Sequence, residues 1–91
     1  MPQLHRLSDV CTGHGPCPPR PTVAGSEDVL TNGLNSQRIG DPYSSHCSHD
    51  GECAAGSPDV FVNSISVVRV GDAVSCGGSA GVGSPNVFVN N

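Results

Sequence analysis

One order of residues is written three times along this 91-residue chain, and that repetition constrains the fold more than any local signal. Each copy has an Arg three residues before an Asp, then a loop bearing Cys or His, then a Val-rich arm ending in Asn. The first element reads Arg6-Leu7-Ser8-Asp9, Arg38-Ile39-Gly40-Asp41 and Arg69-Val70-Gly71-Asp72. The arms read Gly25-Ser26-Glu27-Asp28-Val29-Leu30-Thr31-Asn32-Gly33, Gly56-Ser57-Pro58-Asp59-Val60-Phe61-Val62-Asn63-Ser64 and Gly83-Ser84-Pro85-Asn86-Val87-Phe88-Val89-Asn90-Asn91. The three Asp are separated by 32 and 31 residues. A repeat this short cannot bury its own apolar face, so the copies must pack on one another, as a solenoid or as a closed ring.

Asn32-Gly33 is a strong hairpin signal, because both residues tolerate the positive φ of a type I′ turn. Asn63-Ser64 stands at the equivalent place, between Val60-Phe61-Val62 and the returning Ile65-Ser66-Val67-Val68-Arg69-Val70. The third outgoing arm stops at that turn and has no return strand after it. The missing piece is at the other end: Gln3-Leu4-His5-Arg6-Leu7-Ser8-Asp9 aligns with Asn35-Ser36-Gln37-Arg38-Ile39-Gly40-Asp41. The pattern therefore predicts a ring in which the N-terminal strand completes the third hairpin. The expected fold is all-β, a single small pseudo-threefold domain over 1–91 built from three hairpin-plus-loop units, with no helix. Closure would also remove open sheet edges.

The core must be lean. Apolar residues make up 35% of the chain, with two Phe, one Tyr and no Trp, while Gly (12) and Pro (8) favour turns and short strands. So small a domain calls for an added constraint such as a metal, a disulfide or a partner. A formal charge of −4, with four Arg and no Lys, argues against a nucleic-acid partner. No apolar run is long enough to span a bilayer, and the first residues lack the regions of a secretory signal.

The loops carry the chemistry. His14 and His46 stand five residues after their Asp, and Cys76 four after its own. In a ring these equivalent loops meet at one point, and His49, three residues beyond His46, supplies a fourth donor. His14, His46, His49 and Cys76 form a closed three-imidazole, one-thiolate set suited to tetrahedral Zn²⁺, with Fe²⁺ as the alternative. Rival sets draw on Cys11, Cys17 or Cys47, and disulfides Cys11–Cys17 and Cys47–Cys53 would also leave Cys76 alone; five cysteines fit either arrangement. His5, whose counterparts are Gln37 and Val68, is expected to be an ordinary strand residue. Asp9, Asp41 and Asp72 are read as structural, in turns or paired with the nearby Arg.

These residues resemble the PAAR-repeat family. The most specific parts are Ser57-Pro58-Asp59-Val60-Phe61-Val62-Asn63 with Arg69-Val70-Gly71-Asp72, and Ser84-Pro85-Asn86-Val87-Phe88-Val89-Asn90. The family's Pro-Ala-Ala-Arg run departs here: Asn35-Ser36-Gln37 and Ser66-Val67-Val68 precede the Arg, and Ser8 replaces a Gly. The resemblance implies a β-rich cone with a metal near its tip held by three His and one Cys. It implies a partner, the trimeric β-helical spike of a contractile injection machine, one tip per trimer, whose point contacts a target membrane transiently. Location would be a phage tail tip, or the bacterial cytoplasm before export by a type VI-like system. The competing reading is a small zinc hydrolase with His14, His46, Cys76 and water on the metal and Asp50 or Glu52 as base. A redox or metal-storage role is disfavoured, because the chain has no Cys-x-x-Cys pair.

Overall fold

The computed structural model describes residues 2–13, 18–46, 49–75 and 77–89, with the side chains of 45, 46, 49 and 50 outside that description. The described residues are all β, bridges and turns, with no helix. Six short strands pair as three antiparallel hairpins: β1 (Leu30–Thr31) with β2 (Leu34–Asn35), β3 (Pro42–His46) with β4 (His49–Glu52), and β5 (Phe61–Val62) with β6 (Ile65–Ser66). The turns of β1–β2 and β5–β6 hold Asn32 at φ 55°, Gly33 at 80°, Asn63 at 54° and Ser64 at 65°. Positive φ at both central residues is the type I′ geometry that the Asn-Gly signal predicts.

The ring closes. Gln3 bridges Phe88, the Leu4 amide donates to Val87 O at 3.0 Å, and the Val89 amide donates to Pro2 O at 2.8 Å. The N-terminal segment thus supplies the return arm of the third hairpin.

A threefold belt then joins the return arms. Arg6 bridges Ser36, Arg38 bridges Val67, and Arg69 bridges Leu4, so each arm pairs with the next and the last with the first. At the belt's centre the Gln37 amide donates to His5 O, the Val68 amide to Gln37 O and the His5 amide to Val68 O, at 3.0, 2.9 and 3.0 Å. Such a triangle needs three equivalent backbones about one axis. Almost none of the ladder lies in long strands, yet its amides are paired, as buried backbone groups must be.

Side chains secure each unit in the same way three times. Each Arg makes a bidentate pair with the Asp three residues on: Nε and Nη2 of Arg6, Arg38 and Arg69 reach Asp9, Asp41 and Asp72 at 2.8–3.0 Å. The same carboxylates accept the backbone N–H of their Arg at 2.8 Å. The residue between, Ser8 at φ 76°, Gly40 at 94° and Gly71 at 97°, turns the chain so that one carboxylate can serve both groups. The expected structural role of these Asp is what the geometry gives. In the outgoing arms Ser26, Ser57 and Ser84 accept two following amides each, a turn-capping role.

The core lies in two layers. Leu4, Val62, Val67 and Val89 form one, and Cys11, Tyr43, Cys53, Val68, Val74 and Ala80 the other. Repeat one breaks the first layer: Thr31 and Ser36 replace the equivalent Val62 and Val67 and hydrogen-bond each other at 2.8 Å.

Candidate functional site

Each repeat runs from its hairpin through the belt to a loop, and the three loops are sewn together at their necks. The Ser44 amide donates to Pro21 O at 2.9 Å, the Ser75 amide to Glu52 O at 2.9 Å, and the Thr12 amide to Ser79 O at 2.8 Å. Bridges Thr22–Tyr43, Cys53–Val74 and Cys11–Ala80 run in parallel with these bonds. First loop is tied to second, second to third, and third to first. This collar is what ring closure predicts for the loops that carry the candidate ligands.

The four candidate ligands fall differently. His14 and Cys76 lie outside the described residues. The backbones of His46 and His49 are register partners at the end of the β3–β4 hairpin; their side chains lie outside the description. The second loop is therefore a β-hairpin, which its polar sequence, Pro42-Tyr43-Ser44-Ser45-His46, does not announce, because it lacks apolar alternation. A register shift between Tyr43 and His46 marks an irregularity in the ladder.

The rival ligand Cys11 and the disulfide candidate Cys53 have other roles. Cys11 and Cys53 are free thiols buried in the lower core layer, so neither proposed disulfide is made. Cys11 is 2% exposed and its Sγ accepts the Arg20 amide at 3.4 Å. Burial pushes the Cys53 thiol up to about 12, far from the thiolate a metal requires. Among the described residues no three His, Cys, Asp or Glu stand together as a metal site. The donor chemistry of His14, His46, His49 and Cys76, carried on three loops whose necks form one collar, fits a tetrahedral zinc ion.

Beside the collar a cavity of about 510 Å³ opens between Pro42, Tyr43, Gly51, Glu52 and Ser75. Among the described residues that line it Glu52 supplies the carboxylate, and its backbone N–H donates to Ser75 Oγ at 3.0 Å.

At the hairpin end the surface is apolar. Leu30, Phe61 and Phe88 are equivalent and 55%, 56% and 47% exposed, while the next residues, Thr31, Val62 and Val89, are buried. Val29, Val60 and Val87 add a second equivalent set of exposed side chains. Asn32 and Asn63 knit this end across repeats. Asn32 accepts from Ser84 Oγ at 2.5 Å and donates to Asn86 at 2.9 Å; Asn63 accepts from Ser26 Oγ at 2.7 Å and donates to Asp28 at 3.2 Å.

Sequence reasoning missed His5. It is fully buried, with Nδ1 2.6 Å from Val82 O and Nε2 2.6 Å from Tyr43 Oη, and its ring tilts 37° against the tyrosine. The available signal was its alignment with the apolar Val68.

A pseudo-threefold ring of hairpins, without helix among the described residues and with its loops gathered in one collar, defines a small closed β domain rather than an extended repeat array. The PAAR motif family model matches residues 12–82, most of the chain, and the protein belongs to that family. A search of curated proteins finds no match to the chain. Family membership makes this a spike-tip-type structural protein of contractile injection systems, a family whose members sit on a spike protein in phages or secretion machines.

Proposed function

We propose that this chain caps a trimeric β-helical spike with its hairpin end and forms a metal-stabilised point at its collar. The observation that carries this reading is the closed threefold belt. A single chain with three equivalent arms presents one docking face to each subunit of a threefold partner. Leu30, Phe61 and Phe88, with Val29, Val60 and Val87, supply apolar area at three equivalent positions, and exposed apolar patches of this kind mark binding faces. At the other end His14, His46, His49 and Cys76 would hold Zn²⁺, or alternatively Fe²⁺, and the ion supplies a cross-link between three loops of a lean domain. The role is shape and rigidity, exercised on brief contact with a target membrane, and needs no turnover.

Co-expression with a cognate spike tests the docking: native mass spectrometry should give three spike chains to one tip. Phe61→Asp with Phe88→Asp should abolish that complex while circular dichroism stays unchanged. Docking that survives both substitutions would refute the assignment of this face. Metal analysis should find one ion per chain, lost in Cys76→Ser; a metal-free wild type, or full retention in that variant, would refute the ligand set.

A further inference from the structure

The belt's central triangle holds three equivalent residues of unlike chemistry, His5, Gln37 and Val68, each 1% exposed or less. His5 alone can change charge in the physiological range. It lies on the arm that closes the ring, where the backbone ties to the third outgoing arm among the described residues are Leu4 N–H to Val87 O, Ser84 N–H to Leu4 O at 2.8 Å, and Val89 N–H to Pro2 O. Its imidazole adds one bond to each of the other sides of that seam. Val82 leads directly into the third outgoing arm, and Tyr43 lies in the second loop.

A carbonyl only accepts, so the proton sits on Nδ1 and is donated to Val82 O. Nε2 of the neutral ring is then an acceptor, and the Tyr43 hydroxyl donates to it. A second proton would turn Nε2 into a donor facing that hydroxyl, and would place a charge in a site with no carboxylate in hydrogen-bond contact. We propose that His5 is an acid-sensitive latch: neutral, it ties the N-terminal arm to Tyr43 and Val82, and on protonation the seam between residues 2–5 and 82–89 opens ahead of the rest of the ring.

Burial holds the His5 imidazole below its ordinary value; the Val82 carbonyl, Asp9 and Asp72 oppose that shift and Arg6 adds to it. Beyond Tyr43 lies Cys53, which hydrogen-bonds the same hydroxyl and stays a neutral thiol. The sign follows from proton uptake. Below the ordinary value of 6.5 the unfolded chain binds a proton on His5 before the native ring does. Stability is therefore complete above that pH and falls as pH drops, by up to about tenfold in the folding constant per pH unit, until native His5 also protonates.

The protein's own second repeat supplies the control, His5→Gln. With the metal kept saturating, urea unfolding between pH 7.5 and 5.5 should lower the wild-type folding constant more than that of His5→Gln, by up to about tenfold. Over the same range, intrinsic-rate-corrected amide exchange at Leu4, Ser84 and Val89 should accelerate in the wild type and stay level in the variant. Equal pH responses in the two proteins would overturn the latch. Should His5→Gln not fold, the wild type decides alone. A His5 imidazole titrating below 6.5 by NMR, with seam amides exchanging first, supports the proposal. Titration at or above 6.5, or exchange that begins at the collar amides Thr12 and Ser75, overturns it. Neither outcome depends on the spike partner.

Discussion

Replacing Gly56 by Ala tests how closely the two arms of a repeat approach. A Cβ built on Gly56 stands 2.5 Å from Val67 O and 3.2 Å from Ser66 Cβ. The contact is made with backbone, so no rotamer change relieves it. The Ser57 amide donates to that same Val67 O at 2.8 Å, and moving the arms apart weakens this bond directly. Overpacking costs about 1–3 kcal/mol and a weakened backbone hydrogen bond about 1 kcal/mol. The stiffer unfolded chain returns about 0.4–1 kcal/mol. The net is a loss of about 2 kcal/mol, or roughly 10 °C in Tm for a domain of this length. Gly83→Ala, whose Cβ meets Leu4 O at 2.7 Å and Val70 Cγ2 at 2.9 Å, should lose as much. Gly25→Ala should lose somewhat less, since its closest contact, at 2.5 Å, is with the amide end of Gln37 and the nearest backbone atom, Ser36 O, stands at 2.9 Å. Gly33→Ala is the contrast: nothing lies within 4 Å, and the cost is backbone strain at φ +80°, about 1 kcal/mol. Urea unfolding of metal-saturated protein, followed by circular dichroism, measures all four. A Gly56→Ala variant within about 0.5 kcal/mol of wild type would refute so close an approach of the two arms.

Thr31→Val alone strands the buried Ser36 hydroxyl and should destabilise by about 1–3 kcal/mol. Adding Ser36→Val, which rebuilds the apolar pair of repeat two, should recover that loss; a double variant no better than the single would contradict the pairing. Arg38→Lys replaces a two-pronged contact to Asp41 by a point charge and should cost about 1–2 kcal/mol in a denaturation series. A cost indistinguishable from zero would mean the pair only decorates the turn. A circular permutant that joins residue 89 to residue 2 through an Asn-Gly turn and opens at Asn63-Ser64 should fold with a Tm close to wild type, because Gln3 already bridges Phe88; a molten product would count against closure. Cys53 should resist alkylation at pH 8 in native protein, since burial holds its thiol at about 12, and should react once urea unfolds the chain. Mass spectrometry of the labelled peptide reads this out, and rapid native labelling would refute the buried placement.

The repeat made most of this architecture legible without coordinates. Turn chemistry is local, so Asn32-Gly33 and Asn63-Ser64 announced their hairpins. The orphan return arm at residues 3–9 and the orphan outgoing arm at 83–91 together implied closure. The three Asp read as structural from sequence, and the structure decides between the two roles left open there by pairing each with the Arg three residues before it. What stayed hidden depends on neighbours distant in the chain. The β3–β4 hairpin forms from a polar segment because its edges pair with Pro21, Thr22, Val74 and Ser75 in the collar, and no residue within the segment records that. His5 looked like an ordinary strand residue; only the meeting of three arms on one axis buries it between Tyr43 and Val82. Cys11 and Cys53 likewise could not be told from ligands by spacing, since a thiol's chemistry follows from its solvation, and solvation is set by packing. Periodicity in sequence prescribes which backbones are equivalent, and the tertiary fold alone decides what each equivalent side chain touches.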